Sequence, residues 1–248
     1  MFEEAEKDGI GIWRLNHGKV NALDLELCQN LGDAFSKANF SELRAIVLTG
    51  TGRTFCAGVD LFRLVRGGPE YVQLFLPALN HALEQVFLCQ IPVVVAINGH
   101  AIAGGCILAC AADVKIAASG KGKIGIPELK VGVPFPAIAL EIMRFAAPVY
   151  LSKLLTEGSS HGMIEAGTLG LVDKVVEPDA LIDEAFAHAK HLSSIPKTSF
   201  RLTKQLLRAP AIQNLRNAAS IDQEVMSAWS NPAILDSIQE YLDKTLAR

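Results

Sequence analysis

No stretch of this chain stays apolar for long enough to span a bilayer. The most apolar region, Ile91 to Ala118, is interrupted by Asn98, His100, Asp113 and Lys115. Its longest polar-free run, Ala101 to Ala112, falls well short of the roughly 20 residues a membrane helix needs. A basic stripe is also missing. Net charge is −3 at pH 7 with both signs scattered along the chain, which argues against a nucleic-acid partner. An anionic small ligand stays compatible, since it needs only a few local Lys or Arg. The five cysteines, Cys28, Cys56, Cys89, Cys106 and Cys110, are odd in number and contain no Cys-x-x-Cys. They read as reduced thiols in a reducing compartment, and no metal site is expected. No low-complexity segment or clear repeat occurs. The opening Phe2-Glu3-Glu4-Ala5-Glu6 is acidic and lacks an apolar signal region, so a cytoplasmic location is the expectation.

What is present points to a globular chain with a large core. Half of the 248 residues are hydrophobic and 20% are charged. Gly9 to Leu15 reads as a strand, followed by a turn at Asn16-His17-Gly18. Asp24 to Ala38 has Leu27, Leu31, Ala34 and Phe35 at helical spacing. Ala45 to Leu48, Val93 to Ile97 and Val114 to Ala117 are short apolar strands, with a further one at Leu171 to Val176. Between them lie helical patterns: Leu61 to Arg66, broken at Gly67-Gly68-Pro69; Glu70 to Cys89; and Gly104 to Ala112. Ala137 to Phe145 follows a loop marked by Pro134 and Pro136. After Pro178 the pattern is helical only: Asp179 to Leu192, Thr198 to Leu207, Ile212 to Trp229 and Ala233 to Leu246. The expectation is an α/β core over 1–178 with a helical region over 179–248.

Two segments carry the chemistry. Phe55-Cys56-Ala57-Gly58-Val59-Asp60-Leu61 and Gly99-His100-Ala101-Ile102-Ala103-Gly104-Gly105-Cys106 each follow an apolar run and turn at small residues. Together they can aim two backbone N–H groups at one point, the arrangement that stabilises negative charge on a thioester oxygen. Glycine beside a donor lets a ligand oxygen approach closely. Taken singly, Gly58, Gly104 and Gly105 also read as turn or packing glycines. Asp60 reads equally as a helix N-cap or a ligand contact. Asp113 reads as a structural cap or pair, His100 as packing behind the site, and His188 and His191 as solvated surface residues. Glu128 follows at Ile126-Pro127-Glu128, and Glu141 is a second, weaker carboxylate. Neither a serine hydrolase nor a nucleotide enzyme is expected.

Arg44 to Gly50, Phe55 to Leu61, Ile91 to Asp113 and Leu169 to Val176, in this order and spacing, closely resemble the crotonase, or enoyl-CoA hydratase/isomerase, superfamily. The resemblance covers nearly the whole chain and is weakest at the helical end. It implies a spiral of ββα units followed by a helical region, assembled as a homotrimer or dimer of trimers. It implies an acyl-CoA thioester as substrate, with coenzyme A carried as part of it and no separate cofactor. It places the oxyanion donors at the N–H groups of Val59 and Gly104, and coenzyme A along Ala57, Gly58, Val59, Asp60, Leu61 and Phe62.

The resemblance also exposes a missing acid. Hydratases of the family use two glutamates, one three residues after the second oxyanion glycine and one about twenty residues later. The first position is Ile107 here; the second is Glu128. Dienoyl-CoA isomerases need another acid eight residues beyond the second, where this chain has Pro136. One carboxylate and an oxyanion hole suffice for Δ3-Δ2-enoyl-CoA isomerisation, with Glu128 as the base. Ile107, Val133 and Phe135 are expected to raise its pKa by desolvation. Gly132-Val133-Pro134-Phe135 also looks like the loop of the single-glutamate isomerases. The alternatives are an atypical hydratase or other crotonase-type acyl-CoA enzyme, and a non-catalytic acyl-CoA-binding protein with Glu128 turned away or salt-bridged. For the helices after Pro178, the apolar Phe200, Leu202, Leu206, Leu207, Ile212, Leu215, Val225, Met226 and Trp229 suggest subunit contact; folding back onto the chain's own core is the other reading.

Overall fold

The chain builds two sheets in alternation. The computed structural model describes residues 2–246; Met1, Ala247 and Arg248, at the ends of the two expected ranges, lie outside the described residues. β1 (Phe2–Lys7) and β2 (Ile10–Leu15) form an antiparallel pair, and α1 (Leu25–Ala38) follows. The next segments come in turns of two strands and a helix. The first turn is β3 (Ala45–Gly50), β4 (Thr54–Cys56) and α2 (Leu61–Phe87). The second is β5 (Val93–Ile97), β6 (His100–Ile102) and α3 (Gly104–Cys110). The third is β7 (Val114–Ala118), β8 (Lys123–Gly125) and α4 (Glu128–Val131). Then come α5 (Ala137–Ala146), α6 (Leu151–Glu157), β9 (Ser160–Gly162), α7 (Met163–Thr168) and β10 (Lys174–Val176). Helices α8 (Leu181–Ser193), α9 (Lys197–Asn217), α10 (Ala219–Trp229) and α11 (Pro232–Leu246) complete the described chain.

Each turn gives one strand to each sheet. The larger sheet runs β1-β2-β3-β5-β7-β10, parallel from β2 to β10; the smaller runs β4-β6-β8-β9. This is the expected ββα spiral. β3 and β5 are buried along their whole length, as parallel strands covered on both faces must be. Their side chains alternate between two cores. Ala45, Val47, Val94 and Ala96 pack with Leu181, Ala185 and Ala189 of α8, while Ile46, Leu48, Val93 and Val95 face the main core with α1 and α2.

Helix ends follow from local chemistry. The Asp24 carboxylate accepts from the Leu27 N–H at 2.9 Å and starts α1. Gly68 takes φ 61° and ψ −158° and kinks α2, with Pro69 opening the continuation. The expected break at Gly67-Gly68-Pro69 is therefore a kink between two helical segments.

Three boundaries depart from the sequence reading. β1 was not anticipated, because its Glu-rich side chains show no apolar alternation; it sits at the sheet edge with most of them exposed. The strand expected from Leu171 begins only at Lys174. The helix expected to stop at Leu207 runs on through Pro210 to Asn217, and the break falls at Ala218. Pro210 lies on the exposed side of α9.

The expected apolar surface of the tail divides. Val225 and Trp229 of α10, with Leu235, Ile238 and Leu242 of α11, are buried within the chain's own core against α2. Leu202, Leu206 and Leu207 of α9 remain exposed.

Candidate active site

The first turn of the site leaves β4 under tight control from the segment before α1. The Ala57 N–H donates to the Val20 carbonyl at 3.0 Å. The Gly58 carbonyl accepts from the Leu23 N–H at 2.7 Å, and the Asp60 N–H donates to the Leu23 carbonyl at 2.9 Å. Val59 sits between these bonds, and no acceptor among the described residues takes its own N–H. The strap itself is pinned by Asn21. This residue is fully buried at φ 52°, and its side-chain amide donates to the carbonyls of Thr54 and Phe55, both at 3.1 Å.

The second turn leaves β6. Ala103 adopts φ 52° and ψ −127°, an uncommon conformation for a residue with a β-carbon. It receives the N–H of Cys106 at 2.8 Å and of Ile107 at 3.1 Å on its carbonyl, which starts α3. Gly104, the first residue of that helix, has no intrahelical acceptor for its N–H.

The two turns touch. A β-carbon at Gly58, where φ is +89°, would fall 2.7 Å from the Ile102 carbonyl oxygen and 2.8 Å from Ala103 Cβ. One at Gly104 would fall 2.9 Å from Leu23 Cδ1, and one at Gly105 only 2.1 Å from the Cys56 carbonyl oxygen. Close contacts thus leave no room for a β-carbon at Gly58, Gly104 or Gly105 unless their neighbours shift.

Glu128 opens α4, and Gly132 ends that short helix at φ 94°. Its side chain is 8% exposed, and neither carboxylate oxygen has a hydrogen-bond partner among the described residues. Burial pushes its pKa up to about 8.

One cavity joins these parts. It is lined by Ala57, Val59 and Leu61 from the first turn, Ile102 and Ala103 from the second, and Pro127, Glu128, Val131 and Val133 around α4. Trp229 and Tyr241, from α10 and α11, complete the lining. Glu128 is the only acidic residue among these. Gly58 and Gly104 do not line the cavity, but each is the chain neighbour of a residue that does, Val59 and Ala103.

Other expected residues fall elsewhere. Asp60 is the N-cap of α2, accepting from the Arg63 N–H at 3.0 Å. Phe62 is 52% exposed and does not line the cavity. Val133 lines the cavity, while Ile107 and Phe135 are buried in the main core outside it. His100 is half-buried on β6 and does not line the cavity. Glu141 is held by the Asn214 side-chain amide at 3.0 Å and Arg144 Nε at 3.2 Å, also outside the cavity. Asp113 accepts from Lys204 at 2.6 Å, Arg208 at 2.8 Å and the Val93 N–H at 2.9 Å, a structural cluster. His188 pairs with Glu184 at 3.2 Å and His191 is exposed. All five cysteines are buried free thiols. Among the described residues no group of acids, cysteines and histidines can hold a metal ion, and no helix is long and apolar enough to cross a membrane.

Two familiar letter patterns occur without their structures. Gly158-Ser159-Ser160-His161-Gly162 spells a hydrolase elbow, but Ser160 lies in β9 and not at a strand-to-helix turn. Its neighbour His161 pairs with Glu165 at 2.9 Å. Gly120-Lys121-Gly122-Lys123-Ile124-Gly125 spells a dinucleotide loop, but it joins β7 to β8 and opens no helix.

Trp229 and Tyr241 are the site residues that sequence reasoning missed. They stand more than a hundred residues from Glu128, and nothing local to either marks it as facing the cavity.

Known proteins resemble this chain along most of its length. Enoyl-CoA delta isomerase 1, mitochondrial, of Rattus norvegicus is 28% identical over 249 residues, covering 98% of this chain and 86% of that protein. The short-chain-enoyl-CoA hydratase of Clostridium acetobutylicum is 28% identical over 253 residues, covering 96% and 94%. The crystal structure of human mitochondrial delta3-delta2-enoyl-CoA isomerase superposes with a TM-score of 0.93 at 25% identity, covering 99% of this chain and 98% of that one. The family model for enoyl-CoA hydratase/isomerase matches residues 5–247, and the chain belongs to that family.

Proposed function

We propose that the protein is a Δ3-Δ2-enoyl-CoA isomerase. The observation that carries this reading is a single carboxylate, Glu128, buried without a partner in a cavity whose lining contains no second acid. Hydration of a double bond needs a water held and activated, for which the family's hydratases use two acids; α3 offers Ile107 where the first would stand. A binding protein would leave Glu128 turned away or salt-bridged, and it is neither. The likeness to the rat and human isomerases supports the same reading.

The residues divide the work as follows. The thioester oxygen sits against the N–H groups of Val59 and Gly104. The ionised Glu128 takes a proton from C2 of a 3-enoyl-CoA. The C–H electron pair forms the C1–C2 double bond of a dienolate, and negative charge moves onto the oxygen held by the two donors. Glu128 then returns the proton to C4, and the electrons shift back to leave the C2–C3 double bond conjugated with the thioester. Nothing else is consumed, so the reaction needs no cofactor beyond the coenzyme A that the substrate carries along Ala57 to Phe62. A carboxyl pKa near 8 suits a base that must take and return a proton near neutrality. We further propose a homotrimer in the cytoplasm, with α9 in the contact. Supplying 3-enoyl-CoA and 2-enoyl-CoA separately and identifying the products tests the reaction.

A further inference from the structure

We infer that the acyl pocket is built for short chains of about six carbons or fewer, with Trp229 as the wall that sets the limit. This rests on the acyl-CoA reading above. The cavity beside Glu128 has a volume of about 130 Å³. An apolar protein cavity of roughly 150 Å³ takes one benzene, and sites for drug-sized ligands start at about 300 Å³. The space beyond the reacting carbons therefore holds a handful of atoms.

Its walls explain why it stays small. Leu61, Ile102, Val131 and Val133 give an apolar lining, and no charged side chain other than Glu128 reaches it. Trp229 is 2% exposed and cannot swing aside freely: its indole N–H donates to the Pro134 carbonyl at 2.8 Å. That bond ties α10 to the loop that follows Glu128. Helix α11, which brings Tyr241, packs against both α2 and α4. The helical tail thus supplies one wall of the cavity.

Calorimetric binding of saturated acyl-CoAs of increasing length to the wild-type protein tests the limit without turnover. Each buried methylene strengthens binding about fourfold. Affinity is expected to climb from butyryl- to hexanoyl-CoA and then flatten or fall through dodecanoyl-CoA. In a folded Trp229→Leu or Trp229→Ala protein the break moves to longer chains. Turnover should show the same limit, with kcat/KM at least tenfold higher for 3-hexenoyl-CoA than for 3-dodecenoyl-CoA. Affinity that keeps climbing to dodecanoyl-CoA in the wild type overturns the inference. A break that stays at six carbons in a folded Trp229 variant overturns the assignment of the wall. A break at six carbons with no turnover of any 3-enoyl-CoA leaves the length limit standing and removes the isomerase reading.

Discussion

A β-carbon added at Gly58 would stand 3.3 Å from the backbone nitrogen of Gly104. The two turns that start far apart in sequence are therefore interlocked at the backbone that carries the proposed oxyanion donors. Gly58→Ala meets the Ile102 carbonyl and Ala103 as well, at a φ that side chains rarely adopt. Relieving the clash must move one donor relative to the other. Loss of one oxyanion donor typically costs 10²–10³-fold in kcat. We expect a loss of about 10²-fold in kcat for Gly58→Ala, with a smaller change in acyl-CoA affinity, measured by steady-state kinetics and calorimetry.

Glu128→Gln should abolish turnover and leave acyl-CoA binding nearly intact, since the amide keeps the shape but takes no proton. General base loss costs about 10²–10⁴-fold, and more where no other base is in reach. Glu141→Gln removes only the carboxylate charge beside Arg144 and Asn214, and its activity should stay within about twofold of wild type. Activity surviving in the first variant and lost in the second would move the base to α5.

The raised pKa of Glu128 has two consequences of opposite sign. Activity needs the ionised carboxylate, so kcat/KM should rise with pH and level off above about 8; at pH 7 roughly a tenth of the free enzyme is ready. Stability runs the other way. Between the ordinary value of 4.5 and about 8 the folded protein keeps a proton that the unfolded chain has released, so stability falls as pH rises through that window. The loss is on the order of 5 kcal/mol across it. Glu128→Gln lacks this titration, so denaturant midpoints of the two proteins should diverge toward high pH with the variant the more stable.

Much of this arrangement is readable from the letters. The strands Ala45 to Gly50 and Val93 to Ile97 announce themselves because parallel strands buried on both faces must be apolar throughout. Helix α1 does so through its apolar spacing and the Asp24 cap. The glycines of both turns are visible because their close contacts forbid side chains. The capping bond of Asp60 to the Arg63 N–H shows only in the fold, since an aspartate before a helix and an aspartate beside a ligand look alike in sequence. Trp229 was legible as apolar but not as part of the site, because only the packing of α10 on α2 brings it to Glu128. Ser160 shows the converse: a motif's letters recur by chance, and only strand-turn-helix geometry would make them an elbow.

The exposed Leu206 and Leu207 of α9, 77% and 60% accessible, are expected to lie in the subunit contact. Sedimentation equilibrium should give a trimer of the 26.6 kDa chain or a multiple of it. The Leu206→Lys, Leu207→Glu double variant should dissociate it. A single wild-type species near the chain mass at micromolar concentration rules the trimer out.

One buried carboxylate and two backbone donors are expected to move a double bond without adding water. Purified protein supplied with 3-hexenoyl-CoA should form 2-hexenoyl-CoA, and supplied with 2-hexenoyl-CoA should form no appreciable 3-hydroxyhexanoyl-CoA, as read by chromatography of the thioesters. Rapid formation of 3-hydroxyhexanoyl-CoA from 2-hexenoyl-CoA would contradict the account and make the protein a hydratase that works with Ile107 in place of an acid.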